Sequence, residues 1–147
     1  METRLDYWRI APEIGRQIAA INAYLLDSGI EAGLRHLVWL RVSQLNGCAY
    51  CVDLHTHEAV RDGEAAQRLH CLVVWRETRL FSPRERAALG WAEALTEVAT
   101  SRAPDDVYDA VRAQFDDKQL ADLTFMIATM NAWNRMAIGF RRGPGVR

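Results

Sequence analysis

Apolar residues in this chain recur at intervals of three and four positions, which is the spacing along one face of an α-helix. The first such stretch follows Pro12, a residue that suits the first turn of a helix. Its apolar positions are Ile14, Ile18, Ile21 and Leu25. Valine, isoleucine and threonine never alternate for long with polar residues, so no β-strand is expected. The pattern therefore predicts an all-α protein.

Capping residues between the apolar stretches indicate where the helices begin. The strongest start signal is Ser82-Pro83-Arg84-Glu85, which combines a capping serine, a proline at the first helical position and a glutamate three residues after the serine. The helix over residues 31–46 is apolar on more than one side, which is typical of a central helix. The predicted helices cover about residues 12–29, 31–46, 48–62, 64–77, 83–100, 104–115 and 118–140.

A chain of 147 residues fits one domain, residues 1–147, that is large enough to fold around its own core. No linker, low-complexity segment or internal repeat divides it. The glycine-rich end, about residues 141–147, is predicted to be a flexible tail.

Charge and composition exclude several classes of partner. With 18 Lys and Arg against 19 Asp and Glu the net charge is −1, and no basic excess indicates binding to nucleic acid or to an anionic membrane. The N-terminus has no apolar signal region, and no run approaches the ~18 apolar residues that span a bilayer. Three cysteines, two of them in a CxxC pair, are more typical of a reducing compartment than of a secreted disulfide scaffold. A soluble, cytoplasmic protein is expected.

Candidate chemistry is concentrated in residues 48–55, CAYCVDLH, where two thiols and an imidazole follow one another at helical spacing. On an α-helix Cys48 and His55 project only ~20° apart, and Cys51 lies within ~60° of both. Glu58, three residues past His55, falls near the same face and could orient the imidazole. A nearby imidazole promotes formation of the reactive thiolate, so the pattern indicates thiol redox chemistry.

The position of Cys48 strengthens this interpretation. Asn46-Gly47 indicates the end of one helix and the start of the next, which places Cys48 in a first turn. The unpaired N–H groups and the helix dipole there lower a thiol pKa from its usual ~8.5. The three-residue spacing also predicts that Cys48 and Cys51 are close enough to form a disulfide, with no metal between them.

Two other interpretations of these residues stay open. A zinc site needs a fourth ligand, and the candidates His57, His70 and Cys71 have no ligand-like spacing. His57 lies ~200° round the helix from His55, so it is expected to face away. The cysteines could instead be inert, because a buried free cysteine behaves as a small hydrophobe. Cys71 is itself interpreted as a core residue.

The segment around the dithiol resembles a known family. Residues 40–55, LRVSQLNGCAYCVDLH, are similar to the core motif of the carboxymuconolactone decarboxylase-like family, in its AhpD-like alkylhydroperoxidase branch. This dithiol core motif spans about residues 34–60. Further similar segments are residues 63–64, 67–69, 75–78 and 82–89.

The resemblance implies an AhpD-like helical bundle that assembles into a homo-oligomer, as a dimer, trimer or hexamer. It implies reduction of alkyl or organic hydroperoxides by cysteine chemistry, with no metal, flavin or other cofactor. Cys48 would be the attacking thiol, Cys51 its disulfide partner and His55 part of a proton relay. An external dithiol reductant, of the lipoyl or thioredoxin-like type, would then reduce the disulfide.

Two positions depart from the family pattern. The family motif has a glutamate twelve residues before the first cysteine, where this chain has His36. A better-characterised branch has a histidine between the cysteines, where this chain has Tyr50. A neutral imidazole can pass a proton but cannot supply the charge of a carboxylate. We expect His36 to lie near the dithiol, as a fourth catalytic residue, and to make thiol reactivity depend on pH near neutrality.

Two other functions are compatible with the sequence. A decarboxylase or related lactone-handling enzyme of the same superfamily would not use the dithiol. A non-enzymatic thiol redox sensor or interaction oligomer would use the disulfide to switch an interface, without turnover. The complete CxxC pair together with His55 favours the peroxidase over the decarboxylase.

Overall fold

The structure of the protein is a computed structural model that describes residues 2–145. In that range the chain is helical, with no strand, as the apolar periodicity predicts. None of the helices is both long and apolar enough to cross a membrane. The helices are α1 (Tyr7–Ile10), α2 (Pro12–Leu26), α3 (Ala32–Asn46), α4 (Ala49–Arg61), α5 (Ala66–Cys71), a 3-10 helix (Leu72–Glu77), α6 (Pro83–Thr96), α7 (Val98–Ser101), α8 (Asp105–Arg112) and α9 (Asp117–Gly139).

Helix starts are set by local hydrogen bonds at the positions that the capping pattern predicts. Ser82 Oγ accepts from the backbone N–H of Glu85 at 3.2 Å, and Glu85 Oε2 accepts from the backbone N–H of Ser82 at 2.7 Å. The predicted capping box at α6 is therefore confirmed. Asp116 and Gln119 form the same box at the start of α9. After α3 the chain turns at Gly47, whose φ of 71° is a left-handed conformation that glycine adopts without a Cβ clash.

The predicted helical stretch over about residues 64–77 is present, but it is divided between α5 and the 3-10 helix. After α5 the chain tightens into the 3-10 helix, inside which Val74 has non-helical φ and ψ of −120° and 29°. Val74 and the residue before it are both β-branched, which lowers their helix propensity. The guanidinium of Arg86 compensates for the irregular backbone by donating to Trp75 O and Thr78 O, each at 2.9 Å.

The expected end of the next helix near Thr100 is wrong. α6 ends at Thr96, and a break separates it from α7. The hydroxyl of Ser101 donates back to a carbonyl of α6, and hydroxyl groups of this kind compete with the helical ladder. The short α1 was not predicted at all. It begins where the carboxylate of Asp6 accepts from the backbone N–H of Arg9 at 3.2 Å.

α3 is the central helix, as predicted. It packs against α4, α6 and α9, and every residue from 34 to 40 is buried. Burial on all sides takes the polar residues of this helix into the interior along with the apolar ones. Arg35, His36 and Ser43 are all buried, and buried polar groups need partners. Of these three side chains, that of His36 contacts Asp62, the C-cap of the helix that carries the dithiol.

α2 leaves part of its apolar face uncovered. Leu25 is fully buried, whereas Ile14 and Ile21 of the same predicted face are 58% and 44% exposed. Three of the five tryptophans are buried in the interior, so they are not available to an interface of the expected homo-oligomer. The exposed part of α2 is a better candidate for such an interface.

Candidate active site

The dithiol lies at the junction between α3 and α4. The chain turns at Gly47, and the backbone N–H of Cys48 donates to Ser43 O at 3.0 Å. Cys48 is the N-cap of α4, and its Sγ accepts from the backbone N–H of Cys51 at 3.3 Å. The predicted helix start at Cys48 is therefore confirmed. Cys51 lies in the first turn of α4, where the free N–H groups and the dipole favour a thiolate.

Cys48 and Cys51 form a disulfide, and their Cα atoms are 5.3 Å apart. The prediction that a three-residue spacing at a helix start brings the two thiols together is confirmed. Both cysteines are buried, with 1% and 3% of their surface exposed. The structure therefore shows the oxidised form of a buried cysteine pair.

Asparagines of α9 hold the end of α3 that leads into the dithiol. Asn46 Nδ2 donates to Asn131 Oδ1 at 3.0 Å and to Asn134 Oδ1 at 2.9 Å. Asn134 is fully buried and donates to Ser43 Oγ at 3.2 Å. Because Cys48 donates to the carbonyl of Ser43, this network fixes the turn that carries the cysteines. Sequence analysis missed it, although two asparagines three positions apart in an apolar helix were an available signal.

Five residues form a polar stripe along α4. Steps of three and four positions keep their side chains on one helix face. α3 packs against α4, so the stripe is buried near the start of α4 and becomes exposed at its end. The members of the polar stripe are Cys48, Cys51, His55, Glu58 and Asp62.

His55 is held by contacts on two sides. Its Nδ1 lies 2.9 Å from Glu58 Oε2, and its ring centroid lies 5.3 Å from that of Trp39. The hydrogen bond from His55 lowers the pKa of Glu58 and outweighs the opposing effect of burial. An ionised carboxylate only accepts hydrogen bonds, so Nδ1 carries the proton and Nε2 is the acceptor of the neutral ring. No hydrogen-bond partner of Nε2 lies within residues 2–145.

His36 contacts the far end of the polar stripe. Its Nε2 lies 2.9 Å from Asp62 Oδ2, and no hydrogen bond joins it to either cysteine. Asp62 lies about 16 Å further along the helix axis than Cys51, at 1.5 Å per residue. Hydrogen bonds from Arg61 and then from His36 lower the pKa of Asp62 to about 2. The structure thus places His36 at the opposite end of the stripe from the dithiol, and its part in a relay stays a prediction.

Arg35 brings a buried positive charge to the same region. Burial lowers the pKa of its guanidinium, while the nearby carboxylates, Asp62 first and then Glu58, act in the opposite direction. Its Cζ lies 5.6 Å from the ring centroid of Trp39, the residue that also contacts His55. Sequence analysis did not single out Arg35, although a charged residue inside an otherwise apolar helix was a signal of a buried pairing.

An apolar cavity of about 370 Å³ opens beside the dithiol. Cys51 and His55 line it, whereas Cys48 and His36 do not. Its other walls are mainly apolar and aromatic side chains from α1, α2, α4 and α9. A volume of this size is in the range of small-molecule sites. The cavity can therefore bring a small apolar molecule to one sulfur and one imidazole.

The other residues considered for a metal do not join this site. His57 and His70 are exposed, so the expectation that His57 faces away from His55 agrees with the structure. Cys71 is a free cysteine that is only partly buried, which makes it less of a core residue than predicted. Within residues 2–145, no group of three His, Cys, Asp or Glu side chains is placed to hold a metal ion.

The family model described as the carboxymuconolactone decarboxylase family matches residues 12–94, which is more than half of the chain. The chain belongs to this family. The matched segment contains the whole polar stripe and His36. A further relative is the uncharacterised protein YdfG of Bacillus subtilis (strain 168), which is 41% identical over 138 residues, or 94% of each chain.

Solved structures of similar proteins give the same fold for this family member. A protein of unknown function from Agrobacterium tumefaciens, described as a candidate AhpD antioxidant defence protein, has a TM-score of 0.96 and 40% identity, and the match covers 99% of this chain and 100% of that one. An alkylhydroperoxidase AhpD core protein from Ralstonia eutropha JMP134, uncharacterised and peroxidase-related, has a TM-score of 0.81 and 25% identity, and the match covers 94% of this chain and 74% of that one. The predicted AhpD-like helical fold is confirmed.

Proposed function

We propose that the protein is a thiol-dependent peroxidase that reduces alkyl or organic hydroperoxides through a dithiol–disulfide cycle. The observation that carries the proposal is that Cys51, one half of a cysteine pair, and the imidazole of His55 line one apolar cavity. Family membership supports it, as does the likeness to structures described as an antioxidant defence candidate and as peroxidase-related. An AhpD-like peroxidase of this kind would serve antioxidant defence.

We assign the attack on the peroxide to Cys51 and the resolving role to Cys48. This order reverses the expectation from the family resemblance, in which Cys48 attacks. The reason is access, because Cys51 lines the cavity and Cys48 does not. Cys51 also lies in the first turn of α4 and one turn before His55, so both the helix terminus and the base act on its sulfur.

Oxidation of the dithiol by the hydroperoxide has three steps. In the reduced protein, His55 Nε2 takes the proton of the Cys51 thiol. The thiolate attacks one oxygen of the hydroperoxide and the O–O bond breaks. The alkoxide takes the proton back from His55 and leaves as an alcohol, and Cys51 becomes a sulfenic acid. The Cys48 thiol then displaces the hydroxyl group, which leaves as water while the disulfide forms.

An external dithiol closes the cycle by thiol–disulfide exchange and is itself oxidised to a disulfide. In sum, one hydroperoxide and one external dithiol give one alcohol, one water and one external disulfide. A lipoyl-type or a thioredoxin-like protein is the proposed reductant. A cytoplasmic location, where such reductants keep thiols reduced, is part of the same proposal.

The test is a steady-state peroxidase assay with tert-butyl and cumene hydroperoxide, using either dihydrolipoamide or thioredoxin as reductant. The wild type and Cys71→Ser should turn over, and Cys48→Ser and Cys51→Ser should not. Labelling with dimedone, which reacts with sulfenic acids, separates the two orders of attack. The label should appear on Cys51 in the Cys48→Ser variant and be absent from Cys51→Ser. The opposite labelling pattern would restore the order that the resemblance implies.

The two alternative functions give different results in the same experiment. A lactone-handling decarboxylase would not turn over the hydroperoxides in this assay, whether its cysteines are intact or changed to serine. A redox sensor would form the disulfide with one equivalent of peroxide and then stop, whichever reductant is supplied. Sustained turnover by the wild type is therefore the result that the proposal requires.

A further inference from the structure

The cavity beside the dithiol contains one permanent cation among the described residues that line it, the guanidinium of Arg142. Nearly every other lining side chain is apolar or aromatic, and His55 is the only other group there that can carry a positive charge. Arg142 lies outside the segment 12–94 that the family model matches. The proposed peroxide chemistry does not use it, so its presence in an apolar cavity calls for a separate explanation.

Arg142 is part of a packed segment. Its backbone N–H donates to Ala137 O at 2.8 Å, and its Cζ lies 4.1 Å from the ring centroid of Tyr50. Its Nη1 also lies 3.4 Å from the hydroxyl of Tyr7. Arg142, which lies in the segment 141–147 that was expected to be a flexible tail, therefore contacts the rest of the protein. Residues 146 and 147 of that tail lie outside the described residues.

The guanidinium has donors to spare at this position. It carries five N–H donors and makes one side-chain hydrogen bond within residues 2–145, to Tyr7. No carboxylate pairs with Arg142 within residues 2–145. The guanidinium lies over the ring of Tyr50, the residue next to Cys51 in the chain. Guanidinium groups recognise carboxylates through two parallel hydrogen bonds, which the remaining donors of Arg142 can supply.

We propose that Arg142 binds the carboxylate of an acidic substrate, so that the preferred substrate is a hydroperoxide with an apolar body and a carboxylate group. That the substrate is a hydroperoxide rests on the proposed peroxidase function. The binding of a carboxylate by Arg142 does not depend on that function. The apolar walls would bury the hydrocarbon body, Arg142 would hold the acid, and the peroxide would be presented to Cys51 and His55. Arg142 is thus a specificity residue and takes no part in the bond changes.

A purely structural role for Arg142 makes a different prediction. If the guanidinium only anchors the C-terminal segment on Tyr50, its removal would change the binding of acidic and neutral molecules alike. A matched acid and ester therefore separate the two roles. 4-Isopropylbenzoate and its methyl ester share one apolar body and differ only in charge at one end.

Binding can be followed without turnover by tryptophan fluorescence. Trp8 and Trp133 line the cavity, and their rings stack with centroids 5.2 Å apart, so a bound molecule should change their emission. At pH 7 the acid should bind the wild type, and Arg142→Gln should weaken its binding roughly 10- to 100-fold, the range of a charge-assisted pair. Arg142→Lys should recover part of the loss. The methyl ester should bind all three proteins equally.

Arg141→Gln is the matched control, because Arg141 is exposed, is adjacent in the chain and loses the same charge. It should leave the binding of acid and ester unchanged. Equal weakening of both probes by Arg142→Gln, weakening of the acid by Arg141→Gln, or no binding of the acid to the wild type would each overturn the proposal. Arg142→Lys keeps the comparison valid if Arg142→Gln does not fold.

Turnover is then measured with 4-carboxy-cumene hydroperoxide and its methyl ester. The ratio of kcat/KM for acid over ester should exceed one in the wild type and fall about 10-fold or more in Arg142→Gln, in line with the binding result. Selective binding of the acid without any turnover would refute the peroxidase function and leave the anion site standing. Turnover of both substrates with no preference for the acid would refute the anion site and leave the peroxidase.

Discussion

His55 Nδ1 and Glu58 Oε2 are 2.9 Å apart, joined across one turn of α4. The carboxylate that orients the imidazole thus comes from the dithiol helix itself. In the family motif a glutamate occupies the position on the preceding helix where this chain has His36. The imidazole of His55 therefore has a carboxylate partner even though the glutamate of the family motif is missing, and the three-residue spacing of His55 and Glu58 supplies it.

Changing Glu58 to glutamine should slow the reaction of the reduced Cys51 with iodoacetamide. The amide oxygen can still accept from Nδ1 but carries no charge, so the imidazole becomes a weaker base. We expect a loss of about 10- to 100-fold near pH 7, within the range for acid–base assistance, and a reactivity profile moved to higher pH. Glu77→Gln removes an exposed carboxylate outside the site and should behave as the wild type. Overlapping profiles for all three proteins would show that Glu58 does not act on the base.

Asp62 should make the folded state sensitive to acid. Its pKa of about 2 in the folded protein lies below the ordinary value of 3.8, because Arg61 and His36 favour the charged form. A carboxylate with a lowered pKa stabilises the protein fully above about pH 4 to 5, and this stabilisation is lost as the pH falls toward 2. Asp62→Asn should therefore be less stable than the wild type at pH 7.

Urea unfolding at pH 7 and at pH 2.5 tests this expectation, since the gap between wild type and Asp62→Asn should narrow at the lower pH. Asp109→Asn is the control. Asp109 is exposed and has no ion pair within residues 2–145, so its change should shift the unfolding midpoint little at either pH. A gap that stays constant between the two pH values would contradict the assignment.

Local chemistry made part of this structure predictable. The capping box at Ser82, the helix stop at Gly47 and the polar stripe of α4 depend on residues a few positions apart, and each follows from spacing alone. The kink at Val74 was missed because the carbonyls freed there are satisfied by Arg86, a residue of the next helix. Periodicity in one segment carries no information about such a partner.

The parts of the site that the sequence did not predict also depend on contacts between distant segments of the chain. Asn134 meets Asn46 only when α9 crosses the end of α3, and Arg142 reaches Tyr50 only after the chain turns back beyond α9. His36 was expected at the dithiol from its place in the family motif. Because α3 and α4 are joined by a tight turn and run side by side, a residue ten positions before the end of α3 meets the end of α4 instead, at Asp62.

The exposed apolar face of α2 should form a contact between copies of this chain. Ile14 and Ile21 lie seven positions apart on one face and are 58% and 44% exposed, beside the similarly exposed Ile10. Isolated monomers seldom leave such a row uncovered. We expect a homo-oligomer at micromolar concentration, and the variants Ile14→Glu and Ile21→Glu should shift it toward the monomer in sedimentation velocity experiments.

The control for the interface is Val98→Glu, which introduces the same charge at an exposed valine of α7. It should sediment as the wild type. A monomeric wild type would defeat the prediction of an oligomer, and an oligomer that survives both isoleucine changes would place the interface on another face.

His36 should affect the stability of α4 more than the reactivity of the thiols. Its Nε2 is bonded to Asp62 Oδ2 at 2.9 Å, so His36→Glu would place two carboxylates within about 3 Å of one another, with Glu58 also near. We expect His36→Glu to lower the melting temperature by several degrees, since about 1 kcal/mol corresponds to roughly 2–4 °C at this size. His36→Gln, which can still donate to Asp62, should lose less. Exposed His57→Glu and His57→Gln are the matched controls.

The alkylation rate of Cys51, measured as a function of pH, should change less than about 2-fold in His36→Gln, because no hydrogen bond joins His36 to the cysteines. A 10-fold slowing in that variant, at unchanged melting temperature, would instead show that His36 acts on the dithiol, as expected from the sequence.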